Sequence, residues 1–382
     1  MHELSLELLG TEAAAAHVED WRRLAALSLE PNVFLDPSFA LPAAQYLGRT
    51  PQFLFVRSAS RLVGLCPLIA PARFAPWQIG VWTHEQAPLG TPLIDPQHAA
   101  QALAAIFSFC RDHWPNATAL FIPALPRDGS VARLLLAQAE AEGRRVRAFN
   151  VHERAMLTTG KMDVARSLGS KRRKNIEAAR RKLRAMGELA FRLSGEGAEI
   201  GKEIGKEFEE FFALESKGWK GRRGTALLKS AGRAAFARAA LGALAAEGKC
   251  RIARLDCGGA PIAMGLVLQS GRQAYFWKIA YDESYAAFSP GVLLTLELSQ
   301  GLNEDTSVAR VDSCASPDHP MIDHLWRERL ALADFLVELA PESRGFSAAA
   351  GVQWLRYEMR GRAKAALRRL RQMKSAILKR KT

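Results

Sequence analysis

The segment Tyr275–Leu298, YFWKIAYDESYAAFSPGVLLTLEL, constrains the fold more than any other part of the chain. Its aromatic start predicts a strand, its polar centre predicts a loop, and Ser289-Pro290-Gly291 predicts the start of an apolar helix. Proline suits the first helical turn because its missing N–H has no partner there, and glycine lets a ligand approach the backbone closely. Since free N–H groups at a helix N-terminus bind phosphate, the segment predicts a nucleotide-cofactor site.

The composition is that of a globular protein with enough residues for a large core. The chain has 382 residues, of which 48% are hydrophobic and 24% charged, and this length favours two domains. Five cysteines without C-x-x-C spacing indicate a reducing compartment and no disulfide framework. The N-terminus lacks the basic region of a secretory signal, and the longest apolar run, residues 62–72, is too short to span a bilayer. We therefore predict a cytoplasmic protein.

Apolar periodicity in the first half predicts a mixture of strands and helices. Two short apolar runs, Phe53–Val56 and Leu62–Leu68, have the spacing of a hairpin. Helical patterns cover His98–Trp114 and Val131–Gly143. The proline-bounded segment Pro31–Pro42 is predicted to be a loop.

The second half has the same kinds of element. A long basic helix is predicted over Ser167–Met186 and an alanine-rich helix over Ser230–Glu247. Strands Lys249–Asp256 and Ala260–Gln269 are joined by a Cys-Gly-Gly turn, and a third strand covers Gln273–Tyr281. Because antiparallel strands and helices are mixed in both halves, the sequence predicts an α+β (mixed α/β) fold built from two similar modules.

We place the module boundaries at residues 1–155, 156–340 and 341–382, the last being a basic helical tail. In the strand Gln273–Tyr281, strict alternation predicts that Tyr275, Trp277, Ile279 and Tyr281 share one face. The same alternation puts Lys278 on the opposite face, together with Phe276, Ala280 and Asp282.

Three motifs carry a family resemblance. In chain order they are LESKGWKGRRGTAL at Leu214–Leu227, WKIAYDESYAAFSPGVLL at Trp277–Leu294 and VDSCASPDHPMIDHLWRERL at Val311–Leu330. Together they resemble the CelD-like or BioF2-like acyltransferases (cellulose biosynthesis protein CelD-like) of the GNAT superfamily, which are related to the FemAB peptidyltransferases. The resemblance covers roughly residues 20–340 and is strongest over 165–330.

The resemblance implies tandem GNAT-like modules with the donor site in the C-terminal copy. It further implies an N-acyltransferase that uses acetyl-CoA or a longer acyl-CoA, with a small-molecule or glycan amine as acceptor, in envelope or exopolysaccharide metabolism. The usual GNAT pyrophosphate loop is Q/R-x-x-G-x-G/A. Here the equivalent residues 286–291, AAFSPG, retain one glycine, Gly291, so the helix N-terminus itself is the expected phosphate site.

Acyl transfer needs a base for the amine, donors for the oxyanion and an acid for the leaving thiolate. We assign the residues of these motifs that have suitable side chains to three roles. Candidate catalytic residues are Asp312, Glu215 and Tyr281; candidate cofactor-binding residues are Phe288, Ser289, Pro290, Gly291 and Val292; candidate substrate-binding residues are Trp219, Lys220, Lys278, Asp282 and His319. Simpler structural roles stand beside these assignments: a solvated helix face for Glu215, a cap or ion pair for Asp312, and an edge-strand position for Lys278.

No metal site is predicted. Cys314, His319 and His324 are spaced by four residues each, which puts no pair of histidines at i, i+4 on a helix, and a fourth ligand is missing. A buried structural role is the more common one for a cysteine such as Cys314.

The positive charge of the chain is concentrated in its tail. Residues 344–382 hold twelve Lys/Arg and one Glu, a net +11 of the chain's +14. Apolar residues between these cations give a basic amphipathic pattern, suited to an anionic membrane surface or an acidic partner. The tail therefore predicts peripheral attachment at the inner face of a membrane.

Two alternatives to the acyl-CoA enzyme remain at this point. The first is a FemAB-like aminoacyltransferase, in which aminoacyl-tRNA lies against the basic helices. The second is a degenerate GNAT fold that acts as a membrane-associated scaffold without catalysis.

Overall fold

The structure is a computed structural model that describes residues 4–160, 164, 168–194 and 200–379. Within these residues, strands β1 to β13 span, in order, Leu4–Leu9, Gln52–Ser58, Arg61–Ile69, Gln78–Val81, Leu93–Ile94, Ala119–Pro126, Val146–Thr158, Leu189–Ser194, Cys250–Cys257, Ala260–Ser270, Gln273–Tyr281, Arg310–Asp312 and Glu328–Glu338. Helices α1 to α11 span Thr11–Ala15, Val18–Leu27, Pro37–Tyr46, Ala99–His113, Ser130–Ala141, Ser170–Met186, Ile200–Lys217, Trp219–Arg222, Ala231–Ala246, Pro290–Glu304 and Arg344–Lys379.

Most predicted elements are confirmed, including the hairpin β2–β3 and the three strands β9 to β11. The loop predicted over Pro31–Pro42 is wrong, because helix α3 begins within it at Pro37. The Asp36 side chain caps this helix by accepting the Ser38 N–H at 2.9 Å, and proline fits the first helical position. The basic helix α6 begins at Ser170; residues 165–167, where its start was predicted, lie outside the described residues.

The described strands form one large, mostly antiparallel sheet, which confirms the predicted fold class. The order across the sheet is β1-β2-β3-β4-β6-β13-β7-β12-β11-β10-β9-β8, and β5 pairs with β3 at the side. The two halves repeat one pattern: four antiparallel strands, then a helix, then a strand parallel to the fourth. In the first half this parallel pair is β4 and β6, and in the second half it is β11 and β12.

The two halves exchange strands at the centre of the sheet. Strand β13 from the end of the second half pairs with β6 of the first, and β7 of the first half pairs with β12 of the second. The predicted module boundary at residues 155/156 falls inside β7. The division of the chain into modules stays a prediction.

Each face of the sheet is covered by apolar side chains. On one face, α3 and α9 pack together, and Phe39 contacts both Phe236 and Trp277 edge-on, so a single core joins both halves. On the other face, α4 and α5 cover the first half and α10 covers the second. Within the described residues, no helix combines the length and the apolar character needed to cross a membrane.

A β-bulge at Trp277 corrects the predicted alternation in β11. The register pairs Phe276 with Val267 but Lys278 with Leu266, so Trp277 is an extra residue on its strand. As a result Tyr275 and Trp277 pack on the α7 and α9 side, whereas Ile279 and Tyr281 pack on the α10 side. Strict alternation had put these four on one face. The bulge places Trp277 and Lys278 consecutively toward α7.

Candidate functional site

A cavity of about 550 Å³ lies where β11 and β12 separate. The two parallel strands pair only from Gln273 to Tyr275 on β11 and from Arg310 to Asp312 on β12. Beyond this point β11 continues to Tyr281, while the chain after β12 turns away. The opening between them forms the cavity, whose lining includes residues of α7 on one side of the sheet and of α10 on the other.

The N-terminus of α10 forms one wall of the cavity through Ser289, Pro290, Gly291 and Val292. Ser289 lies at the helix N-cap in the left-handed region with φ +52°, an uncommon conformation for a residue with a Cβ. A Cβ added to Gly291 would lie 3.5 Å from Ile279 Cδ1 and 3.7 Å from Tyr281 Cδ1. The first turn of this 15-residue helix thus meets the end of β11. The Val292 and Leu293 N–H groups donate to the Ser289 carbonyl at 2.9 and 3.2 Å, so the positive end of the helix dipole, more than unbonded N–H groups, favours an anion here.

Glu215 and Lys220 form the opposite wall. Glu215, which is 2% exposed, receives a hydrogen bond from Lys220 Nζ at 3.2 Å and one from the Leu227 N–H at 2.8 Å. Lys220 Nζ also donates to the Ile279 carbonyl oxygen at 2.8 Å. The last turn of α7 and the short helix α8 therefore hold a carboxylate and an ammonium in fixed positions, with Trp219 beside them in the cavity lining.

Lys278 is the second ammonium group in the cavity lining. Its Nζ lies 5.1 Å from the centre of the Trp277 ring. Among the described residues, no side chain or carbonyl forms a hydrogen bond or ion pair with it. Burial, and then the neighbouring Lys220 charge, lower the pKa of Lys278 to about 8. This side chain is therefore a partly neutral amine at neutral to mildly alkaline pH.

The chain after β12 forms the remaining wall with Ser313, Cys314, Ala315 and residues 319–322. His319 Nδ1 accepts the N–H groups of Met321 and Ile322, each at 3.4 Å, so its proton lies on Nε2. Burial lowers the pKa of His319 below its usual value. Cys314, at φ +51°, is a second residue of the lining in the left-handed region. Backbone strain of this kind is often found at functional sites.

The structure brings ten of the thirteen predicted site residues together in the cavity lining. They are Glu215, Trp219, Lys220, Lys278, Tyr281, Ser289, Pro290, Gly291, Val292 and His319. Phe288, Asp282 and Asp312 lie outside the lining. Phe288 packs in the core beside α10, and Asp282 caps the short turn that follows β11 by accepting the Ser284 N–H at 2.8 Å.

The Asp312 carboxylate is part of a buried ion pair. One carboxylate oxygen receives the Arg154 guanidinium, and the other receives the Cys314 N–H at 2.9 Å. The side chains of Asp312 and Arg154 are 1% and 4% exposed. Asp312 borders a second, more polar cavity of about 410 Å³ near Arg310 and Arg329. The geometry thus separates Asp312 from the other candidate catalytic residues.

The basic segment that follows α7, residues 218–225 with α8 inside it, has cations that already contact other protein groups. Arg222 forms an ion pair with Glu283 at 2.7 Å, and Arg223 lies over the Trp219 ring at 4.9 Å. Of its cations, Lys220 faces the cavity. No group of three His, Cys, Asp or Glu side chains able to hold a metal ion occurs in the described part of the chain.

Sequence reasoning missed Leu214, Ser313 and Met321 as parts of the lining. All three lie inside the motifs that carry the family resemblance, so their place in these motifs was the sequence signal that could have assigned them to the site. It also missed Arg154, for which the sequence contains no local signal because its partner is 158 residues away.

Comparison with known proteins agrees with this geometry. The family described as "Acetyltransferase (GNAT) domain" matches residues 170–319, which contain the lining from Leu214 to His319. This part of the chain is similar to GNAT acetyltransferase domains. None of the curated proteins matches the sequence.

Solved structures share the fold over nearly the whole chain. FemX is 11% identical with a TM-score of 0.55, and the alignment covers 84% of this chain and 95% of FemX. The C-terminal domain of a putative lysylphosphatidylglycerol synthetase from Agrobacterium fabrum is 12% identical with a TM-score of 0.52, covering 89% and 95%. A protein of unknown function from Bacteroides thetaiotaomicron is 11% identical with a TM-score of 0.54, covering 87% and 99%. At these identities the likeness concerns the fold alone.

Proposed function

We propose that the chain is an N-acyltransferase that transfers an acyl group from acyl-CoA to an amine. The observation that carries the proposal is the cavity between β11 and β12, which a helix N-terminus and a fixed Glu–Lys pair border on opposite sides. A helix N-terminus suits the pyrophosphate of CoA, and the separation of the strands offers room for its thioester arm. Acetyl-CoA and longer acyl-CoAs are the candidate donors.

Glu215 is the proposed base. Lys220 and the Leu227 N–H donate to its carboxylate and orient it while it remains part of the lining. It takes the proton from the acceptor amine, directly or through one water, as the nitrogen attacks the thioester carbon. Tyr281 is the proposed acid for the leaving thiolate, and its ring lies beside Gly291 at the start of α10. Lys220 and Lys278 orient the substrate.

Replacing Gly291 with tryptophan is expected to abolish acetyl-CoA binding. The indole would extend from the first turn of α10 into the space beside Ile279 and Tyr281, where we place the donor. Gly291→Ala is the matched control, because a Cβ at this position makes ordinary contacts of 3.5 Å or more. Isothermal calorimetry with acetyl-CoA and with a longer acyl-CoA measures both variants beside the parent chain.

Binding by the parent and by Gly291→Ala, together with its loss in Gly291→Trp, would support the donor position. No binding of any acyl-CoA to the parent would refute the proposal. It would then leave aminoacyl-tRNA as donor, which predicts copurifying RNA and a salt-dependent affinity, or a scaffold role.

We further propose that α11 attaches the protein to an anionic membrane surface. The inner side of this helix packs on the sheet through Phe346 and Ala349, whereas Trp354, Leu355 and Met359 are exposed. Arginines 356, 360 and 362 are exposed beside them. Large apolar side chains among cations suit the interface of an anionic bilayer.

Sedimentation with lipid vesicles tests this attachment. The chain is expected to bind vesicles that contain phosphatidylglycerol, to bind phosphatidylcholine alone much more weakly, and to be released by salt. Replacing Trp354, Leu355 and Met359 together with serine should remove the binding and leave acetyl-CoA affinity unchanged. Equal sedimentation with both kinds of vesicle, or with neither, would contradict attachment by this helix.

A further inference from the structure

We infer that Lys278 is itself an acyl acceptor: with an acyl thioester in the cavity and no other amine present, the chain acylates its own Lys278. This inference rests on the proposed function, since it needs the donor to occupy the same cavity. The outcome would be a single modified side chain inside the site, not the scattered acylation of exposed lysines.

The first support is position. Lys278 lines the cavity together with Ser289, Gly291 and Tyr281, where the donor is proposed to lie. The bulge at Trp277 places Lys278 toward α7, on the part of β11 that lies beyond its pairing with β12. A thioester held against β11 would have this amine on the same strand.

The second support is the contrast between the two lysines of the lining. Lys220 Nζ is held by Glu215 at 3.2 Å and by the Ile279 carbonyl at 2.8 Å. Lys278 Nζ makes no such hydrogen bond or ion pair with any described residue and lies 5.1 Å from the centre of the Trp277 ring. A nitrogen that donates to a carboxylate and a carbonyl has to give up these bonds before it can attack. Lys278 loses none.

The third support is electrostatic. Lys220, Glu215, Glu85 and Cys314 are the titratable groups that act on Lys278 from the surrounding elements. Of these, Lys220 lowers the pKa of Lys278 while the others raise it, and burial is the largest cause of the net fall to about 8. At pH 8 roughly half of the population is then the neutral amine, about a hundredfold more than for an ordinary lysine.

The chemistry balances without a further reactant. The neutral ε-nitrogen attacks the thioester carbonyl carbon, a C–N bond forms, and the C–S bond breaks. The proton lost by the nitrogen goes to the departing thiolate, which leaves as free CoA. The product is an amide, so the positive charge at position 278 is lost and the acyl group fills part of the cavity.

The test is to incubate the purified full-length chain with acetyl-CoA and no added amine, and to map acetyl groups by mass spectrometry. Two lysines are internal controls: Lys220 in the same cavity, and the exposed Lys229 for non-enzymatic chemistry. We expect acetylation at Lys278 to exceed that at Lys229 by about a hundredfold. Its rate should fall about tenfold for each pH unit below 8 and level off above.

The Lys278→Arg and Lys278→Met variants should lose this modification, and acetyl-CoA calorimetry on the parent chain runs in parallel. Acetyl-CoA binding without modification of Lys278, or with equal modification of Lys220 and Lys229, would overturn the inference while leaving the proposed function standing. Failure of the parent to bind acetyl-CoA would overturn both.

Discussion

Replacing Asp312 with alanine is expected to lower the free energy of unfolding by about 3–5 kcal/mol, because it leaves the buried Arg154 guanidinium without a counter-charge. Among the described residues, the Arg154 guanidinium donates one other hydrogen bond, to the Pro88 carbonyl at 3.3 Å, and its Nε is buried without a partner. The loss should appear in urea unfolding as a lower midpoint. Acetyl-CoA binding should persist where the variant is still folded, since Asp312 lies outside the cavity.

A double variant separates the charge effect from lost packing. Replacing both partners, Arg154→Met with Asp312→Leu, removes the unpaired charge and should cost much less stability than Asp312→Ala alone. An Asp312→Ala variant that is as stable as the parent but has lost acyl transfer would contradict a structural role for Asp312. It would return Asp312 to the list of candidate bases.

The sequence predicted those parts of the site whose signals are local. The helix start at Ser289-Pro290-Gly291 depends on proline and glycine at neighbouring positions, and the structure has α10 begin there. Glu215 and Lys220 are five residues apart, at the end of one helix and in the next short one, so their proximity follows from local folding.

The remaining features depend on contacts between distant segments. The bulge at Trp277 depends on the register of β11 against β10, and no residue type within the strand predicts it. The Arg154–Asp312 pair arises from the pairing of β7 with β12 across 158 residues. Helix α3 was not predicted because its segment contains Pro37 and Pro42, and a proline inside a helix usually ends it.

The exchange of strands between the halves has the same origin. Each half ends with a strand that pairs outside its own half, so the sheet is continuous across the centre. Periodicity predicts that β7 and β13 are strands, but it does not predict which strands they pair with. The parallel pairing of β11 with β12 covers three residues on each strand, and the cavity opens where this pairing ends.

Replacing Glu215 with glutamine is expected to reduce acyl transfer by about 10²–10⁴-fold if the carboxylate acts as the base. Glutamine keeps the size and an acceptor oxygen for the Leu227 N–H, so the local backbone should hold. The measurement is the release of CoA thiol from acetyl-CoA with the amine that an acceptor screen selects. Glu209→Gln is the matched control, because Glu209 lies on the same helix but pairs with Arg238 at the exposed surface.

A purely structural role for Glu215 predicts a different pattern. Loss of the Lys220 pair would disturb donor or acceptor binding and raise KM, whereas loss of a base lowers kcat and removes the acid limb of the pH–rate profile. Acetyl-CoA affinity close to that of the parent, with kcat strongly reduced and the acid limb gone, would assign proton transfer to Glu215. An unchanged kcat would instead leave a water molecule or Lys278, as the neutral amine favoured by its lowered pKa, to accept the proton.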